Sequence, residues 1–477
     1  MISRVFQFIL LLVFSLLFFT CSNDSSSSNN QPNFIIFLSD DQGWTSTSVM
    51  MSKDIESSKS LYFETPNLKE LAKNGMVFSR GYSSSPVCSP SRYSIQFGQT
   101  AARLKMIRVG MNTNHINHNN PVTIPKILKK INPNYVTAHY GKWGINCDPS
   151  ELGYDFNDGS NGNKEGRFVN DNSQWQVEIS DDPKNIYDLT KKSIDFIERQ
   201  AKNNSPFFLQ VSHYAIHTNI MTTEKVYNKY LKKEPSEIHN NAGFAGMIEN
   251  LDEGLGLLLE KLDELNLLEN TYIIYTSDNG SVPTIPARRF YKKSINYPLS
   301  RGKWDAMEGG VRVPFIVAGP GIKKGSESKV PIIGYDLLPT IADLASPGVL
   351  PIENIDGGSF KNILFSKGEE RIRRAYQGLF FHVPYENKIA LNRAHSSIIQ
   401  DNFKLIKFRD NNEIRLFNLD SDFSEAENLS KSLTDVSSNL ELILDNYLKD
   451  VNTIKWKEGL NWKNIDINKV NSFYSHN

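Results

Sequence analysis

Apolar residues along this chain fall into dense runs with two different periods. Asn33-Phe34-Ile35-Ile36-Phe37-Leu38-Ser39 is almost continuously apolar, as in a strand covered on both faces, and it stops at Asp40-Asp41. Phe207–Ser212 and Thr271–Ser277 have the same character. The first leads into His213-Tyr214-Ala215-Ile216-His217, and the second stops at Asp278-Asn279-Gly280. Residues 135–139 form a further candidate strand, entering Gly141-Lys142-Trp143-Gly144. Between these runs the period becomes helical: Met247, Leu251, Leu255, Leu258 and Leu262 recur at helix spacing. A second helix is expected over 186–202. A third is expected after Thr65, with Thr65 as N-cap, Pro66 in the first turn and Gly75 closing it. Strands alternating with helices predict an α/β sheet, in which chemistry gathers beyond the carboxyl ends of the strands. From about residue 370 the pattern shifts to short strand-like runs at 403–408 and 414–417 and a helix near 440–448, which predicts a smaller α+β domain.

The N-terminus stands outside that alternation. Residues 1–4 are short and positive, and residues 5–19 are apolar apart from Gln7 and Ser15. This is the layout of a secretory signal, shorter than the roughly 20 apolar residues of a membrane-spanning helix. The run ends at Thr20-Cys21, before a polar stretch rich in serine and asparagine. That arrangement resembles a bacterial lipoprotein site, which makes Cys21 a candidate for lipidation, with simple cleavage or an uncleaved anchor as the alternatives. The expected organisation is a signal peptide at 1–20, a polar tether at 21–32, a large domain at 33–370 and a smaller one at 371–477. Such a protein is exported, to the periplasm or as an outer-membrane or cell-surface lipoprotein, and touches membrane only through its lipid.

Composition adds two constraints. Of 477 residues 39% are hydrophobic, enough for a sizeable core, and 53 basic residues balance 53 acidic ones. No global field therefore points to nucleic acid, and a polyanionic partner would need a local basic patch. Of the three cysteines, Cys88 and Cys147 lie beyond the N-terminal segment. In an exported protein they could pair in a disulfide or be buried as inert thiols. Neither explains why Cys88 stands directly before Ser89-Pro90-Ser91-Arg92.

The candidate chemistry sits at the strand ends. Asp40-Asp41 and Asp278-Asn279 offer oxygen ligands for a hard dication, Ca²⁺ or Mg²⁺; either pair alone could simply terminate a strand. Pro90 and Ser91 suit a first helical turn, which places Cys88 at a helix N-terminus with Arg92 one turn on; that end attracts anions and lowers a thiol's pKa. Lys142 and Lys303 are basic candidates, the latter just before Glu308-Gly309-Gly310-Val311-Arg312-Val313-Pro314, a glycine-rich segment expected as a tight loop entering a strand. His217 and His213 could serve as general acids, or as a metal pair if helical.

These motifs together resemble the type I sulfatases. Cys88-Ser89-Pro90-Ser91-Arg92 is similar to the family's formylglycine signature, and Gly141-Lys142-Trp143 to its second motif. Asp40-Asp41 and Asp278-Asn279-Gly280 resemble its calcium site. The Glu308 segment, Tyr335-Asp336-Leu337-Leu338-Pro339-Thr340, Leu416-Phe417-Asn418-Leu419 and Glu427-Asn428-Leu429 continue the match from about residue 33 to 430. The resemblance implies an alkaline-phosphatase-like fold, a central mixed sheet flanked by helices with a smaller C-terminal α+β domain. It implies that a maturation enzyme oxidises Cys88 to an aldehyde, whose hydrate attacks sulfur and then expels sulfate. One Ca²⁺ would be held by Asp40, Asp41, Asp278, Asn279 and the side chain at Cys88, with Mg²⁺ the less expected ion. Arg92 would hold the hydrate, Lys142 and Lys303 would grip sulfate oxygens, and His217 would protonate the leaving oxygen.

The substrate implied is a sulfated polysaccharide or its oligosaccharides, of algal type such as ulvan or carrageenan, or a glycosaminoglycan. Arg288-Arg289 and Lys292-Lys293, in a long loop after the second acidic strand end, are either a solvated charged loop or a subsite for such a polyanion. His213, His115, His118 and His382 are further pocket candidates. The sequence departs from the family at Gly144, where a histidine is common, with His139 or His213 as possible replacements, and at Gln96-Phe97-Gly98-Gln99, after the signature. Two rival functions remain: a phosphodiesterase or phosphonate hydrolase of the same superfamily, and an inactive glycan-binding lipoprotein. Cys88 argues against the first, because related phosphatases use Ser or Thr with two metals. The retained tag argues against the second, because binding has no need of it.

Overall fold

The computed structural model describes residues 31–349, 351–365, 371–387 and 393–456. The expected signal peptide, most of the tether and Cys21 lie outside them. Its centre is a sheet of eight strands: β1 Asn33–Ser39, β2 Gly75–Phe78, β3 Val136–Gly141, β4 Phe156–Asn157, β5 Phe207–Ser212, β6 Thr271–Ser277, β7 Phe315–Ala318 and β8 Ser326–Ser328. Their spatial order is β8-β2-β7-β6-β1-β5-β3-β4. β1 runs parallel to both β5 and β6, β3 parallel to β5 and β4, and β8 parallel to β2; β7 lies antiparallel between β2 and β6. The sheet is thus mixed, with its longest strands side by side in the middle.

The continuous apolar runs follow from this position. On β1, Phe34, Ile36 and Leu38 enter one hydrophobic core while Ile35 and Phe37 enter the other, so both faces of the strand are covered. The first core is closed by α2 Cys88–Phe97, α3 Ile124–Ile131 and α6 Leu337–Ala345, and the second by α1 Pro66–Lys73, α4 Ile186–Asn203 and α5 Ala242–Glu264. Among the described residues no helix is long and apolar enough to cross a membrane.

Two local expectations are corrected. Helix α1 ends on Asn74, and Gly75 opens β2 instead of capping the helix. The Glu308 segment is not a plain loop: Glu308–Val311 forms a helical turn before β7. A second sheet, β9 Leu379–Val383, β10 His395–Gln400, β11 Phe403–Phe408 and β12 Ile414–Asn418, is antiparallel throughout. Its side chains alternate as a pleat dictates. Phe381, Ile399, Ile406 and Phe417 join the first main core, while Phe380, Ile398, Leu405 and Leu416 pack under α7 Thr434–Asp450.

Candidate active site

Four neighbouring parallel strands, β6, β1, β5 and β3, end at Asp278-Asn279, Asp40-Asp41, His213 and Lys142, on one rim of the sheet. Backbone hydrogen bonds continue past their ends and fix the loops there. His213 N–H donates to Leu38 O at 2.9 Å, Asp40 N–H to Ala215 O at 2.9 Å, Ile216 N–H to Asp40 O at 2.7 Å and Lys142 N–H to Ser212 O at 2.7 Å. Asp41 adopts a left-handed backbone, φ 62°, which Asp tolerates better than most residues. The carboxylates of Asp40, Asp41 and Asp278 come within 4.8 Å of one another, all buried.

Each carboxylate is matched by a buried cation. Lys142 Nζ lies 2.5 Å from Asp40 Oδ2, Lys303 Nζ 2.7 Å from Asp41, and Arg92 Nε 2.8 Å from Asp278 Oδ2. Arg92 also donates to the Lys142 carbonyl, tying the start of α2 to the end of β3. Asn279 Nδ2 donates to Asp41 Oδ1 at 2.7 Å. Buried ion pairs carry a large desolvation cost that good geometry offsets, and removing one partner typically costs 3–5 kcal/mol. Burial alone would lower the pKa of Lys142 and Lys303, but the neighbouring carboxylates prevail and raise both. Asp278 is pushed up by burial and Asp40 against the pull of Arg92. Cys88 stands about one helical turn before Arg92, at the start of α2. Two buried oxygens, Asp40 Oδ1 and Asn279 Oδ1, have no hydrogen-bond partner among the described residues. Unused acceptors in an all-oxygen set fit a hard dication.

Cys88 opens α2, buried, with Val87 as an N-cap whose side chain offers no acceptor. Ser85 N–H donates to Ser91 Oγ at 2.9 Å, and Trp304 N–H to Pro86 O at 3.0 Å, which joins the Lys303 segment to the chain before Cys88. The disulfide alternative is excluded: Cys88 and Cys147 are both free. Burial pushes the Cys147 thiol up to about 12, so it is inert.

His217 Nε2 lies 3.8 Å from Asp41 Oδ2, while its Nδ1–H donates to Thr218 O at 2.8 Å. Burial, then Lys303, Lys142 and Lys184, hold the ring well below its ordinary pKa, and so neutral. Gly144, φ 68°, borders Arg92: a Cβ there would stand 3.1 Å from Arg92 Cδ and 3.6 Å from Ser89 Oγ. His139 packs edge-on against Trp143, ring centroids 4.6 Å apart, and His213 lies tilted against Phe37 at 4.5 Å. Burial holds both at about 3, and among the described residues neither hydrogen-bonds Arg92 or Cys88.

The remaining candidates are not drawn into this cluster. His115 is bonded to Leu104 O, His118 to Tyr93 Oη, and His382, on β9, to Ser396 Oγ and Ile454 O. Arg288 lines a separate cavity with Lys292. Sequence reasoning missed Lys184, whose setting Asp181-Asp182-Pro183-Lys184 looks like surface. It is buried, its Nζ donates to Gly166 O at 2.6 Å, and burial lowers it to about 7.

Comparison with known proteins shows the family. The model of the Sulfatase family matches residues 32–347, and that of the N-sulphoglucosamine sulphohydrolase C-terminal region matches 303–450. A "Sulfatase" of Formosa agariphila is 26% identical, covering 88% of each chain. The N-acetylgalactosamine-6-sulfatase of Mus musculus is 28% identical over 68% of this chain and 65% of its own. The crystal structure of Ps i-CgsB in complex with k-i-k-neocarrahexaose superposes with a TM-score of 0.71 at 23% identity, over 92% of this chain and 96% of that one, a likeness of fold.

Proposed function

This chain belongs to the sulfatase family, a sulfuric ester hydrolase, and we propose that it removes sulfate from a sulfated polysaccharide or its oligosaccharides with an oxidised Cys88 as nucleophile. The observation that carries this reading is the closed set of three buried carboxylates and three buried cations around the start of α2. Its charges cancel, so a bound dication leaves the site net positive, as an anionic ester requires. The relatives named for a sulfated amino sugar and the structure holding a carrageenan-type hexaose support a sulfated sugar over a simple aryl sulfate.

Asp40, Asp41, Asp278 and Asn279 would hold one Ca²⁺, next to the side chain at position 88. When bound, the ion supplies positive charge that polarises the nucleophile and the ester oxygens. Oxidised to an aldehyde and hydrated, the side chain at 88 supplies the attacking hydroxyl. Arg92, anchored on Asp278, offsets the charge of that group. Lys142 and Lys303, kept protonated by their carboxylates, donate to sulfate oxygens and stabilise charge as it develops. His217 has Nδ1 fixed on Thr218, which leaves Nε2 to carry the mobile proton. An arriving anion raises the pKa of the ring, so His217 gains a proton with substrate and gives it to the leaving oxygen.

Mass analysis of the peptide holding residue 88, after coexpression with a maturation enzyme, should find the aldehyde; a thiol alone overturns the nucleophile. Matured protein with Ca²⁺ should release sulfate from at least one of ulvan, carrageenans and glycosaminoglycans, and Cys88→Ala should not. Silence across that panel, with the aldehyde present, overturns the substrate class. Calorimetric titration should show Ca²⁺ binding tighter than Mg²⁺, abolished in Asp40→Asn.

A further inference from the structure

The loop leaving Asn279 returns to Lys303, so both of its ends belong to the site. Between them it carries Arg288-Arg289-Phe290-Tyr291-Lys292-Lys293, the basic patch that the neutral chain as a whole lacks. With Phe63 and the segment 237–241 this loop encloses a cavity of about 400 Å³, within the ~300–1,000 Å³ typical of small-molecule sites. Its floor is fixed. His239 is buried and stacked on Phe63, with ring centroids 4.4 Å apart; Nε2 lies 2.8 Å from Ile295 O and Nδ1 2.9 Å from Ser60 Oγ. Its rim is cationic. Lys293 is tied to Glu237 at 2.8 Å, but among the described residues Arg288, Arg289 and Lys292 have no carboxylate within 4.0 Å. Phe290 stands 80% exposed beside them, with the Arg289 guanidinium 5.2 Å from its ring centroid. A merely solvated charged loop needs neither a walled cavity nor an exposed aromatic ring.

We infer that this cavity is a second binding site, which takes a neighbouring sulfated sugar of the oligosaccharide whose ester is being cleaved. Arg288 and Lys292, which line the cavity, meet its sulfate, Arg289 adds charge beside them, and the Phe290 ring meets the apolar face of the sugar. Thr284, on the cavity wall, is five residues from Asn279, so the two are at most about 18 Å apart. One short oligosaccharide therefore spans both sites. The inference rests on the sulfatase reading for the charge of the sugar.

The test is affinity electrophoresis of the full-length Cys88→Ala protein in gels holding ulvan, ι-carrageenan or chondroitin 6-sulfate. Retardation by at least one is expected. Adding Arg288→Ala, Arg289→Ala and Lys292→Ala should weaken it tenfold or more, and adding Phe290→Ala alone about threefold, with unfolding midpoints unchanged. The Phe290 variant keeps every charge, so its loss of binding separates a sugar site from simple attraction to a polyanion. No retardation of the parent, equal retardation of the triple variant, or no effect of Phe290→Ala overturns the inference. The sulfatase reading is tested apart, by sulfate release from the matured enzyme, and can fail while the gels still show binding.

Discussion

His217 is a neutral ring among three lysines, Lys303, Lys142 and Lys184, and its usefulness depends on what the substrate brings. A sulfated sugar leaves as a poor alkoxide that needs a proton, whereas 4-nitrophenolate leaves unaided. His217→Ala should therefore cost about 10²–10⁴ in kcat on a sulfated glycan and far less on 4-nitrophenyl sulfate. Equal losses on the two substrates would show that the ring does not protonate the leaving group. At this scale the sequence was legible wherever a residue type has few structural reasons to stand where it does. Asp40-Asp41, Asp278-Asn279 and Cys88 through Arg92 are of that kind, and the fold brings them together. Lys184 was illegible because a lysine after Asp-Asp-Pro looks solvated, and only its burial and its bond to Gly166 O set it apart. His382 and His115 show the converse, since each spends its ring on hydrogen bonds elsewhere in the fold.

Helix α1 shows what an element owes to its neighbours. Thr65 stands at its N-cap, but its hydroxyl accepts from Ser48 N–H at 2.9 Å and leaves the helix uncapped by its own N-cap residue. The early amides instead find Asp252 of α5: Asn67 N–H donates to Oδ2 at 2.9 Å and Leu68 N–H to Oδ1 at 2.8 Å. Asp252→Ala should cost about 2 kcal/mol, as for a lost N-cap, and Thr65→Val should leave those two bonds intact. Urea unfolding of the two variants checks this, and a loss under about 0.5 kcal/mol for Asp252→Ala would refute the shared cap. The long elements were readable because a seven-residue strand or a helix of several turns repeats its signal. The short strands β2 and β8 were not, because three or four residues fit a helix or a strand equally well, and the pairing partner decides.

At the scale of the whole molecule, burial keeps five histidines neutral. His139, His213 and His382 are lowered to about 3, and His239 and His395 to about 4. A histidine with a depressed pKa lends stability that is complete above its unfolded value near 6.5 and is lost as pH falls toward the folded value. Each contributes a slope of up to about 1.4 kcal/mol per pH unit. Asp252 and Asp305, raised to about 6 by burial, act in the opposite sense, gaining between about 6 and their unfolded range. The histidines outnumber them, so the unfolding free energy should fall as pH drops from 6.5 to 4.5. His213→Phe, which replaces a ring with no hydrogen-bond partner at either nitrogen among the described residues, should flatten that fall by about 1.4 kcal/mol per unit. An unchanged slope in urea titrations at stepped pH would contradict the buried neutral ring. The sequence by itself determined the alternating α/β order, the strand ends that carry the acids and the helix that begins at Cys88, because each is written in a local run of residues. Only the tertiary structure decided which cation meets which carboxylate, that Cys147 stays apart from Cys88, and that Lys184 is buried beside the site. Those facts depend on the strand order β6-β1-β5-β3, which no local run encodes, and on burial, which makes a charge depend on its partners.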